Sequence, residues 1–350
     1  MSTQDPALQM PWIATVQATV TQARAAGRLG AGLLIHGGRG LGGEWLARWI
    51  AAGQFCTADA GPERPCGQCL ACRQTFAGQH PDLHRIELER SIKDGKEAKE
   101  IKIDQIRELS AELALTSHGR RGKVGIVMPA DRMNRFAANA LLKTLEEPTS
   151  GSLLILVAAE PGRLPATVRS RCMRLSLQPP THQDMLTWLR GQISPPDAAA
   201  SVLEAFPGRP VDAAAADPAV IVQLVRSTRA ALDDALAGSR LDPDTVAEAW
   251  SRDGYELRLV VVENWLTERI RQGLGGPARA VEMGNAAHLS SIASALNMSS
   301  LFRVLDAVRE ARVWADSPVN KAMTLERILW QFAALTRHSH LPRTGSDATR

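Results

Sequence analysis

Leu33-Leu34-Ile35-His36-Gly37-Gly38-Arg39-Gly40-Leu41-Gly42-Gly43-Glu44 is the stretch that decides the fold. A short apolar run ends at a glycine cluster, and Glu44 to Ala52 follows with helical periodicity. The spacing predicts Trp45, Leu46, Trp49 and Ile50 on one face of that helix. Strand, glycine loop and helix in this order make the backbone of a phosphate-binding loop, in which glycines let N–H groups point at phosphates. Such a loop also needs a lysine for the β- and γ-phosphates and a Ser or Thr for Mg²⁺. Here the lysine position holds Gly43 and the Mg²⁺ position holds Glu44, with Gly37, Gly40 and Gly42 supplying the glycines. Glu44 at a helix N-terminus suits the dipole, could cap the helix, and would repel a phosphate. Glycines alone are a weak signal, and a plain glycine-rich turn fits them equally well.

Outward from the loop, Lys123 to Met128 and Leu153 to Ala158 are two further apolar runs. Between them the spacing predicts a helix over Arg135 to Glu147, stopped by Pro148. Strands alternating with helices imply a parallel sheet covered on both faces. An ATPase strand at the second run would end in an acid pair for Mg²⁺ and water. Those positions hold Met128 and Pro129, and Asp131 is displaced into the next turn. Hydrolysis in this chain's own site is therefore not expected.

The chain has 350 residues, 45% of them hydrophobic and 22% charged, with a net charge of +4. That describes a globular protein of two or three domains rather than a membrane or disordered one. With no secretion signal in Met1 to Met10, the cytoplasm is the expected location. The mild positive charge permits nucleic-acid contact without arguing for it. The charged stretch Lys93 to Lys102 reads as a solvated loop.

Four of the five cysteines cluster as Cys56-x9-Cys66-x2-Cys69-x2-Cys72. In a reducing compartment that spacing points to metal, and four thiolates close a tetrahedral, structural zinc shell. An iron–sulfur cluster is the chemical rival, and His80 could replace Cys56 as a ligand.

Pro179-Pro180 and Pro195-Pro196 bracket a helical segment, Thr181 to Gln192, and Phe206-Pro207-Gly208-Arg209-Pro210 makes a further break. From Pro218 onward the pattern is helical, with stripes at Leu257, Val260, Val261, Trp265, Leu266 and at Leu325, Ile328, Leu329, Phe332. The expected division is residues 1–175 as an α/β phosphate-loop domain carrying the 56–72 insert, 176–217 as a small helical domain, 218–337 as an all-α domain, and 338–350 as a polar tail.

A degenerate phosphate loop followed by this cysteine insert resembles the clamp-loader branch of the AAA+ proteins. Asn139-Ala140-Leu141-Leu142-Lys143-Thr144-Leu145-Glu146-Glu147-Pro148 is similar to the family's helix after the acidic strand. Glu160-Pro161-Gly162-Arg163-Leu164-Pro165 resembles the loop after its sensor-1 strand, and Ser170-Arg171-Cys172 its SRC motif. The resemblance covers about residues 10–215 by motif and implies an AAA+ domain with zinc insert, a helical lid and an all-α collar. It places Ala158 and Ala159 at sensor-1 and Val211 where the sensor-2 segment carries arginine. It implies that Arg171 acts as an arginine finger on ATP held by a neighbouring subunit, while this chain binds no ATP and has no catalytic activity of its own. The implied setting is a hetero-oligomer with the gamma or tau ATPase subunits and the delta subunit of DNA polymerase III, loading the sliding clamp onto primed DNA. An active ATPase with an atypical loop and a zinc-dependent DNA-binding module are the rival readings.

Overall fold

The computed structural model describes residues 10–58, 61, 64–89, 98–119, 121–236, 242–274, 298–315, 317 and 319–338. Half of the Lys93 to Lys102 stretch and nearly all of the 338–350 tail lie outside them. The chain divides into two units, Met1–Trp188 with Gly208–Val211, and Leu189–Pro207 with Asp212–Arg350.

Among its described residues the first unit holds five strands, β1 (Gly32–His36), β2 (Leu83–Ile86), β3 (Val124–Val127), β4 (Leu153–Ala158) and β5 (Met173–Ser176). Their order is β2-β3-β4-β1-β5. Every pairing is parallel, and Leu33 stands opposite Ile155 on one side and Met173 on the other. Among the described residues eight helices flank them: α1 (Ala14–Ala25), α2 (Gly43–Phe55), α3 (Leu70–Phe76), α4 (Ile103–Ala114), α5 (Arg135–Ala140), α6 (Leu142–Glu146), α7 (Ala166–Arg169) and α8 (His182–Arg190).

Alternation along the strands sorts the core into two faces. Leu34, Leu154 and Leu156 pack with Ile106, Leu109 and Leu113 of α4 and with Ala137 and Ala138 of α5. Ile35 and Val157 face the other way, beneath the first turn of α2 at Gly43. The two central runs expected as strands are strands, because both of their faces are covered. The edge strands β2 and β5 were not expected. Leu83-His84-Arg85-Ile86 is only half-buried throughout and shows no apolar run.

Two expectations need correction. The buried stripe of α2 is Leu46, Ala47, Ile50 and Ala51, while Trp45 and Trp49 are only partly covered. Large indoles settle at the rim of a face more readily than at its centre. The helix expected over Arg135 to Glu147 breaks at Leu141 into α5 and α6.

The second unit is helical: α9 (Ala199–Ala205), α10 (Pro210–Ala215), α11 (Pro218–Leu236), α12 (Pro243–Arg252), α13 (Tyr255–Gly273), α14 (Met298–Val313) and α15 (Lys321–His338). Leu325, Ile328, Leu329 and Phe332 of α15 are all buried, as their spacing predicts, and Phe332 meets Trp265 edge-to-face at 5.5 Å. Arg258 is buried among them, donating to Thr228 Oγ1 at 2.8 Å and Asp253 Oδ2 at 2.8 Å. Gly254, at φ +69°, starts α13 where a Cβ would lie 2.3 Å from Leu224. Among the described residues no helix is long and apolar enough to cross a membrane.

Asp82, fully buried just before β2, ties the sheet edge to the loop after α4. Its carboxylate accepts from the His118 N–H at 2.9 Å, the Gly119 N–H at 2.9 Å and the His118 ring at 3.2 Å. Burial opposes the charge, but the two N–H groups and the ring outweigh it and hold the Asp82 carboxyl below the usual carboxylate range. A depressed folded-state pKa contributes stability that is full above the unfolded value of about 3.9 and is lost as pH falls through the folded one. Asp82→Asn, which leaves an N–H facing N–H groups, should cost about 1–3 kcal/mol at neutral pH in urea unfolding and flatten the loss of stability below about pH 4.

Candidate functional site

The glycine loop leaves the end of β1 at the carboxyl edge of the sheet, where open parallel sheets bind ligands. Gly40 and Gly42 have φ of +72° and +88°, a backbone shape that favours glycine. Gly42 stands at the head of α2 and accepts the Leu46 N–H at 3.0 Å. The loop is held from two sides. Trp12 Nε1 donates to the Leu41 carbonyl at 2.9 Å, and the Val211 N–H donates to the Gly40 carbonyl at 3.0 Å. Leu41 itself is buried, and a Cβ on Gly42 would lie 2.5 Å from Met10 Sδ. At Gly43 a Cβ would meet Val157 Cγ1 at 3.0 Å, so a lysine there would have to displace its neighbours slightly.

Glu44 sits in the first turn of α2, but its carboxylate does not close on the turn's backbone. It accepts instead from Arg48 and from Arg85 Nη2, the latter at 3.0 Å, and Arg85 also pairs with Glu87. Helix capping by Glu44 is thus corrected to an ion-pair network with a guanidinium from β2. That network leaves the Glu44 carboxylate paired with two guanidiniums.

Met128 and Pro129 follow β3, as expected, and bring no carboxylate to its end. Asp131 is buried, and its Oδ2 accepts the Glu160 N–H at 3.1 Å. It therefore ties the loop after β3 to the loop after β4. Ala158 ends β4, and its carbonyl accepts the Gly37 N–H. Asp131 Oδ1 is buried without a hydrogen-bond partner.

Arg171 lies just after α7 with its side chain exposed. Its Nη2 pairs with Glu146 Oε1 and its Nη1 donates to the Thr167 carbonyl at 3.0 Å. Both partners fix the guanidinium near the surface, and the Glu146 carboxylate is itself half exposed. Cys172, beside it, is half-buried, and burial pushes its thiol up to about 11. That shift disfavours the thiolate, the reactive form, at neutral pH.

The four clustered cysteines meet between the end of α2 and the start of α3. All four Sγ atoms lie within 4.8 Å of one another, and none is in a disulfide. A tetrahedral ion with bonds of about 2.3 Å to sulfur needs S–S distances of ~3.8 Å, so this cluster needs little closing. Cys66 and Cys72 sulfurs are 4.0 Å apart. Backbone N–H groups of Cys66, Cys69 and Cys72 point at the sulfurs of Cys56, Cys66 and Cys69. These bonds favour thiolates. The Cys69 N–H pulls the Cys66 thiol down. Burial resists the Cys69 thiolate, yet the N–H groups of Cys72 and Thr57 bring it down to about 5. His80 is not part of the cluster: it stacks on Phe55 at 3.9 Å and accepts the Asp82 N–H.

A family model described as DNA polymerase III, delta subunit, matches residues 14–181. A Pseudomonas aeruginosa protein named DNA polymerase III subunit delta' is 28% identical over 311 residues, 86% of this chain and 91% of that protein. A Haemophilus influenzae protein of the same name is 35% identical over 182 residues, 52% of this chain and 53% of its own length. A Salmonella typhimurium protein named DNA polymerase III subunit tau is 32% identical over 152 residues, 43% of this chain and 22% of that one. The chain thus spans nearly the whole of one delta' relative and about half of another. It is similar to DNA polymerase III delta' subunits, most strongly over the residues that the family model matches.

Proposed function

We propose that this chain is a non-hydrolysing clamp-loader subunit that completes the ATP site of a neighbouring subunit with Arg171. The observation that carries this reading is the contrast between two places in one unit. The glycine loop is pinned by Trp12 and Val211, lacks lysine at Gly43, and has a paired carboxylate at Glu44. Met128 and Pro129 add nothing that ligates a metal. Arg171, by contrast, is exposed and keeps a planar guanidinium suited to phosphate oxygens.

In this reading residues 1–175 form the body that presents Arg171, 176–217 a lid, and 218–337 the collar that joins gamma or tau and delta subunits. Primed DNA and the sliding clamp are the substrates of the assembled loader. Glu146 serves as the resting partner of Arg171, exchanged for the neighbour's γ-phosphate on assembly. Exposed pairs of this kind are worth only about 0–1 kcal/mol, so the exchange costs little.

The cysteine cluster would hold structural zinc. Cys56, Cys66, Cys69 and Cys72 fill all four positions, leaving none for water or substrate. The ion would fasten the end of α2 to α3 and contribute folding free energy to that segment.

Two outcomes test the reading. Arg171→Ala should leave the melting temperature and complex assembly intact while lowering hydrolysis at the facing site by about 10³–10⁵. An unchanged ATPase rate of the assembled loader would remove Arg171 from the mechanism. Metal analysis of the purified chain should give one zinc per chain and no iron, and stripping it with a strong chelator should lower the melting temperature. Iron with visible charge-transfer absorption would instead mark an iron–sulfur centre.

A further inference from the structure

Away from the glycine loop and from Arg171, a polar cleft of about 450 Å³ opens between the ends of α1 and α2 and the loops around Arg121 and Gly151. Three arginines line it: Arg24 from α1, Arg64 from the segment leading to Cys66, and Arg121. Among the described residues no carboxylate pairs with any of them. Arg24 reaches only carbonyls, those of Ile50 at 3.1 Å and Arg64 at 3.3 Å. The Nε atoms of Arg24 and Arg64 are buried without a hydrogen-bond partner.

Placing two guanidiniums side by side without an acid is costly unless an anion joins them. The cysteine thiolates are nearby, yet the bonds that reach them come from backbone N–H groups and not from these arginines.

The cleft is built rather than incidental. Gln54 Nε2 donates to the carbonyls of Arg121 at 2.9 Å and Gly151 at 3.2 Å, fastening both loops to the end of α2. Gly122 packs so tightly on Gly151 that a Cβ would lie 1.9 Å from its carbonyl oxygen. A Cβ on Gly53 would lie 2.6 Å from Arg24 Nη1, so glycine at that position leaves room for the guanidinium. Ser117 and Ser150 add hydroxyls to the lining.

We infer that this cleft binds phosphate groups of a nucleic-acid backbone, with Arg24 and Arg64 as the principal contacts and Arg121 beside them. A carboxylate satisfies one guanidinium fork. A tetrahedral phosphate offers more acceptor oxygens in more directions, and a run of phosphodiesters can engage several arginines at once. The cleft is separate from the Arg171 surface, so its failure would leave the trans-acting reading untouched.

The test is fluorescence anisotropy of the full chain with a labelled single-stranded and a labelled double-stranded oligonucleotide across a salt series. Arg64→Gln and Arg24→Gln should each weaken binding at least about fivefold at low salt and reduce the slope of log K against log salt by about 0.7–0.9. Arg107→Gln, an exposed charge on α4 outside the cleft, should change neither. Should Arg24→Gln lower stability, Arg64→Gln and Arg121→Gln still read the cleft, with circular dichroism confirming the fold. Oligonucleotide binding unaffected by the cleft variants, or no oligonucleotide binding at low salt, would overturn the inference. So would protection of the wild-type fold by inorganic phosphate, or binding of polyglutamate, that depends on Arg64 when oligonucleotide binding does not.

Discussion

The placement of β1 between β4 and β5 is the constraint on which the first unit depends. A strand paired on both edges and covered on both faces has no freedom to slip, because a one-residue shift would turn Leu33 and Ile35 into the space of Leu34. Its end therefore delivers Gly37 to Gly42 to the carboxyl edge of the sheet, and α2 must begin at once. The fold thus keeps the frame of a nucleotide site whether or not the side chains support one. Under the proposed function, the departures from such a site lie at the frame's edge: Gly43 and Glu44 on one side, Met128 and Pro129 on the other.

The altered positions are not left open. Trp12 and Val211 bind loop carbonyls, Arg48 and Arg85 neutralise Glu44, and Asp131 holds the Glu160 backbone. The Gly40 and Leu41 carbonyls, the Glu44 carboxylate and Asp131 Oδ2 thus have internal partners, while Asp131 Oδ1 is buried without one. A loop so held is a rigid support for the sheet edge and for the segment Gly208–Val211. On the same unit Arg171 stays exposed, restrained by a surface carboxylate and one carbonyl. Under the proposed function, a loop held at two carbonyls and an exposed Arg171 would suit a subunit that positions a group for another molecule's reaction.

Much of this was legible in the sequence, for identifiable reasons. Central strands bury both faces and so write continuous apolar runs, as at Leu153 to Ala158. The cysteine spacing is set by short-range geometry, which a linear pattern records well. Edge strands β2 and β5 escaped notice because half-burial leaves no run to read. Glu44 pairs with Arg48 one helical turn away, a visible spacing, whereas its partner Arg85 is 41 residues distant. The bonds from Trp12 and Val211 end on backbone carbonyls, which carry no residue signature at all. The arginine cleft is assembled from three separate segments and appears only when they fold together.

The central claim is that the glycine loop is silent toward nucleotide in this chain. Isothermal titration of MgATP into the purified chain, followed by phosphate-release assay on the same sample, tests it most directly. The account predicts no saturable binding at micromolar nucleotide and no turnover. Tight binding of MgATP with hydrolysis by the isolated chain would contradict it.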